Sequence, residues 1–162
     1  MTTTPKIAIF FPGQGSQSVG MLDALAAAYP SVGETFAEAG EALGRDLWSL
    51  VNAGPKEALD QTESTQPAML AAGVAVWRVW QEAGGAPAAL MAGHSLGEYA
   101  ALVAGGSLSL ADGVRLAAER ARLMPLLAEL DGMNIRFDLA SPALPVGAAP
   151  RTPAEAGPHP AA

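Results

Sequence analysis

The chain has 162 residues, of which half are apolar and 15% are charged, and its net charge is −7. This composition excludes a highly charged disordered chain and supplies enough apolar side chain for one domain with its own core. The nine lysines and arginines are scattered and cysteine is absent, so we expect no nucleic-acid partner, and the sequence excludes disulfides and thiolate metal sites.

The N-terminal segment predicts a strand, a turn and a helix, in that order. The apolar run Ile7–Phe11 is typical of a strand buried on both faces, and it is too short for a secretory signal or a membrane span. A glycine-rich turn at residues 13–17 leads to an alanine-rich helix predicted at residues 21–29, which Pro30 ends. We therefore expect a cytoplasmic protein with no membrane partner.

The middle of the chain predicts further helices. Ser31 is placed to cap a helix that continues to about residue 43 and ends at Gly44, and residues 46–51 predict a short turn. Pro67 favours the first turn of a longer helix at residues 67–82. The apolar face predicted for that helix consists of Met69, Leu70, Val74, Trp77 and either Val79 or Trp80.

A second strand, turn and helix follow. Residues 88–92 predict another buried strand, residues 93–97 the turn and residues 98–104 an apolar helix. Ser109 followed by Asp112 resembles a capping signal for a last helix that continues to about residue 129. Strands that alternate with helices predict an α/β fold with a parallel sheet.

The end of the chain differs in composition from the rest. Helical periodicity fades from Asp131, and residues 141–162 are almost wholly alanine, proline and glycine. We therefore divide the chain into a folded unit at residues 1–130 and a disordered tail at residues 131–162.

The pattern G-x-S-x-G at residues 93–97 is the strongest chemical signal. A sharp turn between a strand and a helix exposes the serine hydroxyl and directs the following backbone N–H groups toward one point. Glycine on both sides avoids clashes with the strand and the helix, and the helix N-terminus favours negative charge on a substrate oxygen. The pattern predicts that Ser95 is a nucleophile.

Two separated motifs resemble one protein family. Residues 93–102, GHSLGEYAAL, and residues 11–17, FPGQGSQ, are similar to malonyl-CoA:acyl-carrier-protein transacylases. Residues 65–70 and 114–124 resemble the same family in order and approximate spacing, so the resemblance extends from about residue 7 to residue 124. It implies part of the family's large subdomain, which has a hydrolase-like parallel sheet and a nucleophile elbow.

The resemblance also implies roles for individual residues. Ser95 is the residue that is acylated, and the backbone N–H groups of Gln14 and Leu96 form the oxyanion hole. Arg120 pairs with the free carboxylate of malonate, a role that suits a guanidinium because it binds a carboxylate bidentately. Gln66 matches a polar residue near the active site that orients Ser95 or its partners.

The reaction implied by the resemblance is acyl transfer in fatty-acid biosynthesis. Ser95 takes a malonyl group from the thioester malonyl-CoA and passes it to the phosphopantetheine thiol of an acyl-carrier protein, without a cofactor or a metal. The base in this family is a histidine far downstream of the serine motif. His94 adjoins the nucleophile and we interpret it as structural, while His159 matches no family motif.

The resemblance ends before the later parts of the family fold. We therefore expect a truncated chain without the inserted small domain, the C-terminal part of the large domain or the basic histidine. Their absence predicts exposed apolar surface and self-association.

Three other interpretations remain open. A polyketide-synthase acyltransferase shares the serine motif, although Leu96 and Tyr99 look more like the discrete fatty-acid enzyme. A serine hydrolase also uses G-x-S-x-G, but it does not account for the motif at residues 13–17. A catalytically dead fragment would keep both motifs without the base.

Overall fold

The fold alternates strands and helices, as predicted for the α/β class. A computed structural model describes residues 6–132, with side chains to residue 126. The predicted tail at residues 131–162 lies outside the described residues except for Asp131 and Gly132, which belong to the last helix. In chain order the elements are β1 (Ile7–Phe11), α1 (Asp23–Ala28), α2 (Ser31–Leu43), α3 (Leu47–Ala53), α4 (Lys56–Leu59), α5 (Thr62–Glu82), β2 (Ala88–Gly93), α6 (Gly97–Ala104) and α7 (Leu110–Gly132).

The two strands form a parallel pair, as predicted. Ile7 lies opposite Ala88 at one end, and Phe11 lies opposite Gly93 at the other. Because parallel strands run in the same direction, the loop that follows β1 and the turn that follows β2 leave the sheet at the same edge. The two sequence motifs therefore meet at the carboxyl edge of the sheet, where open α/β folds place their ligands.

The prediction that both strands are buried on both faces is wrong for the described residues. Phe11 is buried against α5 and α6, whereas Phe10 is 72% exposed and Leu90 is 63% exposed. Leu90 pairs with Ala8, so Leu90 and Phe10 share the face opposite Phe11. In the described part of the chain, helices cover one face of the sheet and leave this apolar face open.

Helix α5 forms the centre of the core. It packs against α2, α6 and α7. Its predicted apolar face is buried except at Trp80, which is 38% exposed. The largest fully buried apolar side chains on the surrounding segments are Phe36, Leu47, Leu59 and Leu96. No helix within residues 6–132 combines the length and the apolar character needed to cross a membrane.

The start of α5 corrects the sequence prediction. The helix begins at Thr62, so Pro67 lies inside it rather than in its first turn. Proline has no N–H to donate to the carbonyl of Glu63, four residues earlier. Arg45 supplies the missing donor, because its Nη2 donates to the Glu63 carbonyl at 2.6 Å. A side chain beyond the end of α2 thus satisfies a carbonyl that the proline leaves free.

The ends of the helices agree only partly with the predictions. Gly44 ends α2 in the left-handed conformation with φ 67°, and Ser109 Oγ accepts from the Asp112 N–H at 3.0 Å at the start of α7, both as predicted. The prediction that Ser31 caps α2 is wrong, because its hydroxyl donates to Glu82 on α5. Helix α1 is shorter than predicted, and the predicted short turn at residues 46–51 is instead the start of helix α3.

Candidate active site

Ser95 lies in a sharp turn between β2 and α6. Its φ is 54°, in the left-handed region that residues with a side chain rarely adopt. The His94 N–H donates to the Phe11 carbonyl at 3.1 Å, and the His94 carbonyl accepts from the Gly97 N–H at 2.9 Å. These bonds hold the turn on both sides of Ser95 and keep its side chain exposed at the edge of the sheet. Such a backbone conformation costs about 1–3 kcal/mol, which the surrounding contacts offset.

Gly93 and Gly97 allow the strand and the helix to approach each other closely. A Cβ atom at Gly93 would lie 1.9 Å from the Gly97 carbonyl carbon. A Cβ atom at Gly97 would lie 2.1 Å from the Phe11 carbonyl oxygen. Both distances are far below van der Waals contact, so the predicted steric need for these two glycines is confirmed.

The loop at residues 13–17 lies beside the turn that holds Ser95. A Cβ atom at Gly13 would be 3.0 Å from both the Nδ1 and the carbonyl oxygen of His94. Between residues 6 and 132, neither the Gln14 N–H nor the Leu96 N–H donates a hydrogen bond to another protein group. Two backbone donors on adjacent loops are therefore free to bind a ligand.

A hydrogen-bond network joins four of the five predicted site residues. Arg120 donates from Nη2 to Ser95 Oγ and from Nη1 to Gln66 Oε1, both at 2.7 Å. Gln66, which is fully buried, donates from Nε2 to Gln14 Oε1 at 3.5 Å. The fifth residue, Leu96, follows Ser95 directly and buries its side chain. The structure thus brings the four residues together from four separate segments of the chain.

Arg120 differs in its partners from three of the four other described arginines, since only Arg45, which donates to a backbone carbonyl, also lacks a carboxylate. Its guanidinium contacts an amide and a hydroxyl, and among the described residues no carboxylate lies within ion-pair distance of it. The arginines that do form ion pairs with carboxylates are Arg78, Arg115 and Arg122. The charge of the half-buried Arg120 is therefore uncompensated by the described part of the protein, which favours an anionic ligand next to Ser95.

The described residues provide no general base for Ser95. Its oxygen accepts from Arg120, and its own hydroxyl hydrogen meets no acceptor within residues 6–126. His94 forms only backbone hydrogen bonds in that part of the chain. His159 lies outside the described residues. Among the residues that are described, no group of three or more His, Asp and Glu side chains is arranged to bind a metal.

Sequence reasoning missed Thr62 as part of this network. Gln14 donates from Nε2 to Thr62 Oγ1 at 3.2 Å. Thr62 is the first residue of α5, and Gln66 lies four residues later on the same face of the helix. This spacing was present in the sequence, but it carried no signal while the helix was predicted to begin at Pro67.

Comparison with known proteins identifies the family to which this site belongs. The acyl transferase domain family matches residues 9–146, which include both motifs. The chain belongs to this family. The resemblance predicted from the motifs is confirmed, since the relatives most similar in sequence include malonyl-CoA:acyl-carrier-protein transacylases.

Three relatives illustrate the similarity. The malonyl CoA-acyl carrier protein transacylase of Salmonella typhimurium is 61% identical over 119 residues, which cover 74% of this chain and 38% of that protein. The structure of an acyl carrier protein S-malonyltransferase from Vibrio cholerae is 57% identical with a TM-score of 0.73, over 75% of this chain and 40% of that one. A complex of a type II PKS acyl-carrier protein with its malonyl-transacylase matches at 57% identity and a TM-score of 0.72, over 74% of this chain and 39% of that one. The chain therefore spans well under half the length of these relatives.

Proposed function

We propose that this chain provides the nucleophile of a malonyl-CoA:acyl-carrier-protein S-malonyltransferase of fatty-acid biosynthesis. The observation that carries the proposal is the uncompensated guanidinium of Arg120, 2.7 Å from Ser95 Oγ. A nucleophile next to a fixed positive charge suits an acyl group that ends in a carboxylate, as malonyl does. The names of the Salmonella and Vibrio relatives support the choice of malonyl among such groups.

The first half of the reaction acylates Ser95. Its Oγ attacks the thioester carbonyl carbon of malonyl-CoA, the carbon–sulfur bond breaks, and coenzyme A leaves with the proton that a general base removes from the hydroxyl. The turn between β2 and α6 acts as a nucleophile elbow, because it exposes the hydroxyl at the edge of the sheet. The resemblance implies that the base is a histidine downstream of the region shared with the family, and no described residue replaces it.

The negative charge that develops on the carbonyl oxygen needs donors that are already in place. The N–H groups of Gln14 and Leu96 fill this role in the proposal, and their lack of protein acceptors within residues 6–132 supports it. Removing one such donor typically lowers the rate by about 10²–10³-fold. The oxyanion hole is therefore a large part of the proposed catalysis.

The second half of the reaction transfers the malonyl group to a carrier protein. The phosphopantetheine thiol attacks the ester carbonyl, the carbon–Oγ bond breaks, and Ser95 regains its proton. Neither half requires a cofactor, because the thioester supplies the activated acyl group. The relative solved with its acyl-carrier protein supports this choice of acceptor.

A second candidate is the same transfer in polyketide synthesis. It is favoured by one observation, that the carrier protein in that solved complex belongs to a type II PKS. The chemistry at Ser95 is identical in both pathways, so the two candidates differ only in the carrier protein. Comparing fatty-acid and polyketide carrier proteins as acceptors separates them.

The proposal is tested by measuring the intact mass of the full chain after mixing it with malonyl-CoA. Because the described residues provide no base, we expect slow formation of a malonyl adduct on the unsubstituted chain and none on Ser95→Ala. Acetyl-CoA, which has no free carboxylate, should give much less adduct than malonyl-CoA. Adding carrier protein that bears phosphopantetheine should then remove the adduct and malonylate the carrier.

Two results would contradict the proposal. An adduct that survives Ser95→Ala would assign the chemistry to another residue. A folded chain that forms no adduct at all would favour the alternative of a catalytically dead fragment. Circular dichroism of both proteins provides the check that each is folded.

A further inference from the structure

The loop at residues 13–17 has little backbone structure of its own. It contains two glycines, which give the unfolded loop many alternative backbone conformations. In the fold Gly15 adopts φ 105°. The Gly15 N–H donates to a side chain, Gln17 Oε1 at 2.8 Å, rather than to a backbone carbonyl. Contacts outside the loop must therefore keep the Gln14 N–H in place.

Gln17 connects the loop to the segment between α4 and α5. Its Oε1 accepts from the Gly15 N–H, and its Nε2 donates to Asp60 Oδ1 at 2.9 Å. Both ends of one amide are thus used, one within the loop and one 43 residues away. Gln17 is half-buried, which orders its side chain better than a fully exposed position would.

Gln14 provides a second connection to the same segment. Its side chain donates to Thr62 Oγ1 at 3.2 Å, while its own backbone N–H is the proposed oxyanion donor. Thr62 is the first residue of α5, and Gln66 on the next turn holds Arg120. The N-terminal end of α5 is therefore a common support for the loop and for the guanidinium.

Asp60 is itself held in place and kept ionised. It pairs with Lys56 one turn earlier, at the start of α4. The hydrogen bonds from Lys56 and then from Gln17 keep the pKa of the Asp60 carboxyl below its usual value of 3.8. At neutral pH the side chain is a charged acceptor, which binds the Gln17 amide more strongly than a neutral acceptor would.

We propose that Gln17, Asp60 and Thr62 are positioning residues that clamp the loop at residues 13–17 onto the junction of α4 and α5, so that the Gln14 N–H is preorganised for the oxyanion. This inference rests on the proposed function, because it assigns the clamp to the same site. A donor that is already in place stabilises the transition state without reorganisation, whereas a mobile one loses that advantage. The clamp acts on the rate of acylation rather than on the binding of malonyl-CoA.

The kinetic test measures single-turnover acylation of Ser95 in the full chain at varied malonyl-CoA concentration. Asp60→Ala and Thr62→Val should each lower the maximal acylation rate by about 10- to 100-fold and leave the half-saturating concentration within about twofold. Asp60→Asn and Thr62→Ser keep an acceptor oxygen and should restore most of the rate. Glu57→Ala is the matched control, since it removes an exposed carboxylate from α4 that forms no hydrogen bond with the loop.

A second readout does not depend on the chemistry. Hydrogen exchange of the Gly15 amide should be faster in Gln17→Ala and in Asp60→Ala than in the unsubstituted chain, and unchanged in Asp60→Asn and Glu57→Ala. If the unsubstituted chain is not acylated, the proposed function fails, while the exchange rates still decide whether the clamp exists. The inference would be overturned if Asp60→Ala matched Glu57→Ala both in exchange of the Gly15 amide and in the rate of Ser95 acylation. It would also be overturned if the Gly15 amide exchanged faster in Asp60→Ala while the acylation rate stayed the same.

Discussion

Gln66 shows how one side chain can hold an arginine without neutralising it. It is fully buried, and both ends of its amide are hydrogen-bonded, to Arg120 and to Gln14. A neutral amide fixes the direction of the guanidinium and leaves its charge available. A carboxylate at the same position would form an ion pair and compete with the carboxylate of the proposed malonyl substrate.

The Gln66→Glu substitution would add a negative charge next to Arg120. We expect the rate of malonylation of Ser95 to fall by about 10- to 100-fold, the equivalent of one hydrogen bond to a charged group, while the slow reaction with acetyl-CoA changes little. Gln66→Met separates the causes, because it removes the hydrogen bond without adding a charge. If Arg120 had no role in selecting the acyl group, the ratio of the malonyl to the acetyl acylation rate, measured by intact mass, would be the same in Gln66→Glu as in the unsubstituted chain.

The close approach of β2 and α6 at Gly93 predicts how a single added methyl group changes stability. Gly93→Ala places a Cβ atom 1.9 Å from the Gly97 carbonyl carbon, so the strand or the helix must move. We expect a loss of about 1–3 kcal/mol in the free energy of unfolding and loss of Ser95 reactivity. Gly33→Ala in α2 is the control, because nothing lies within 4 Å of its Cβ position, and it should stabilise the chain by about 0.5–1 kcal/mol. Urea denaturation of the two variants decides the prediction, which a Gly93→Ala chain as stable as the unsubstituted one would contradict.

At the scale of elements, α7 is capped by Ser109, the residue that precedes its first turn. Ser109 accepts from the Asp112 N–H and donates to the Asp112 carboxylate at 2.7 Å. Ser109→Ala should cost about 1 kcal/mol in the free energy of unfolding, because it leaves an N-terminal N–H of the helix unpaired. Ser109→Thr keeps a hydroxyl that both accepts and donates, and it should recover most of the loss in a chemical denaturation experiment. Equal losses in the two variants would contradict a capping role.

The Asp46 cap of helix α3 predicts how the stability of the chain depends on pH. The Ser49 hydroxyl and then the Ser49 N–H donate to Asp46, and these bonds lower the pKa of the Asp46 carboxyl below 3.8. Because the folded pKa is the depressed one, the stabilisation is present above the unfolded pKa and is lost as the pH falls below 3.8 through the folded pKa. The melting temperature of Asp46→Asn, which still caps but does not titrate, should fall less over that acidic range than the melting temperature of the unsubstituted chain. Parallel curves for the two proteins would contradict the assignment.

The elements themselves could be predicted where local signals suffice. Ile7–Phe11 and the end of α2 at Gly44 follow from a short apolar run and a glycine that accepts the left-handed conformation. The start of α5 could not be predicted, because Pro67 usually marks a first turn and the donor that replaces its N–H comes from Arg45. The contact from Arg45 thus allows α5 to begin before Pro67, although proline prefers the first turn of a helix.

At the scale of the whole molecule, one face of the sheet is apolar and open in the described residues. Phe10 and Leu90 lie on that face with 72% and 63% of their surfaces exposed. Parallel sheets are normally covered on both faces, so this patch should bind hydrophobic probes and promote self-association.

Replacing both side chains tests this prediction. Phe10→Ser with Leu90→Ser should lower the fluorescence of a bound hydrophobic dye and shift the sedimentation profile toward the monomer. Leu116→Ser is the matched control, because Leu116 is also exposed, at 48%, but lies on α7 instead of the sheet. Equal effects of the control and the double variant would mean that the sheet face has no special role in association.

The sequence by itself determined the family, the α/β class, the turn at Ser95 and the identities of the proposed site residues. These follow from short patterns, because glycine spacing and apolar periodicity act over a few residues. Only the tertiary structure decided that Gln14, Gln66, Ser95 and Arg120 form one hydrogen-bond network, and that Thr62 supports it. The partners in that network are separated by 25 to 54 residues along the chain. Local patterns carry no information on such contacts, because they arise only when the packing of α5 against α7 and the pairing of β1 with β2 bring distant segments to one edge of the sheet.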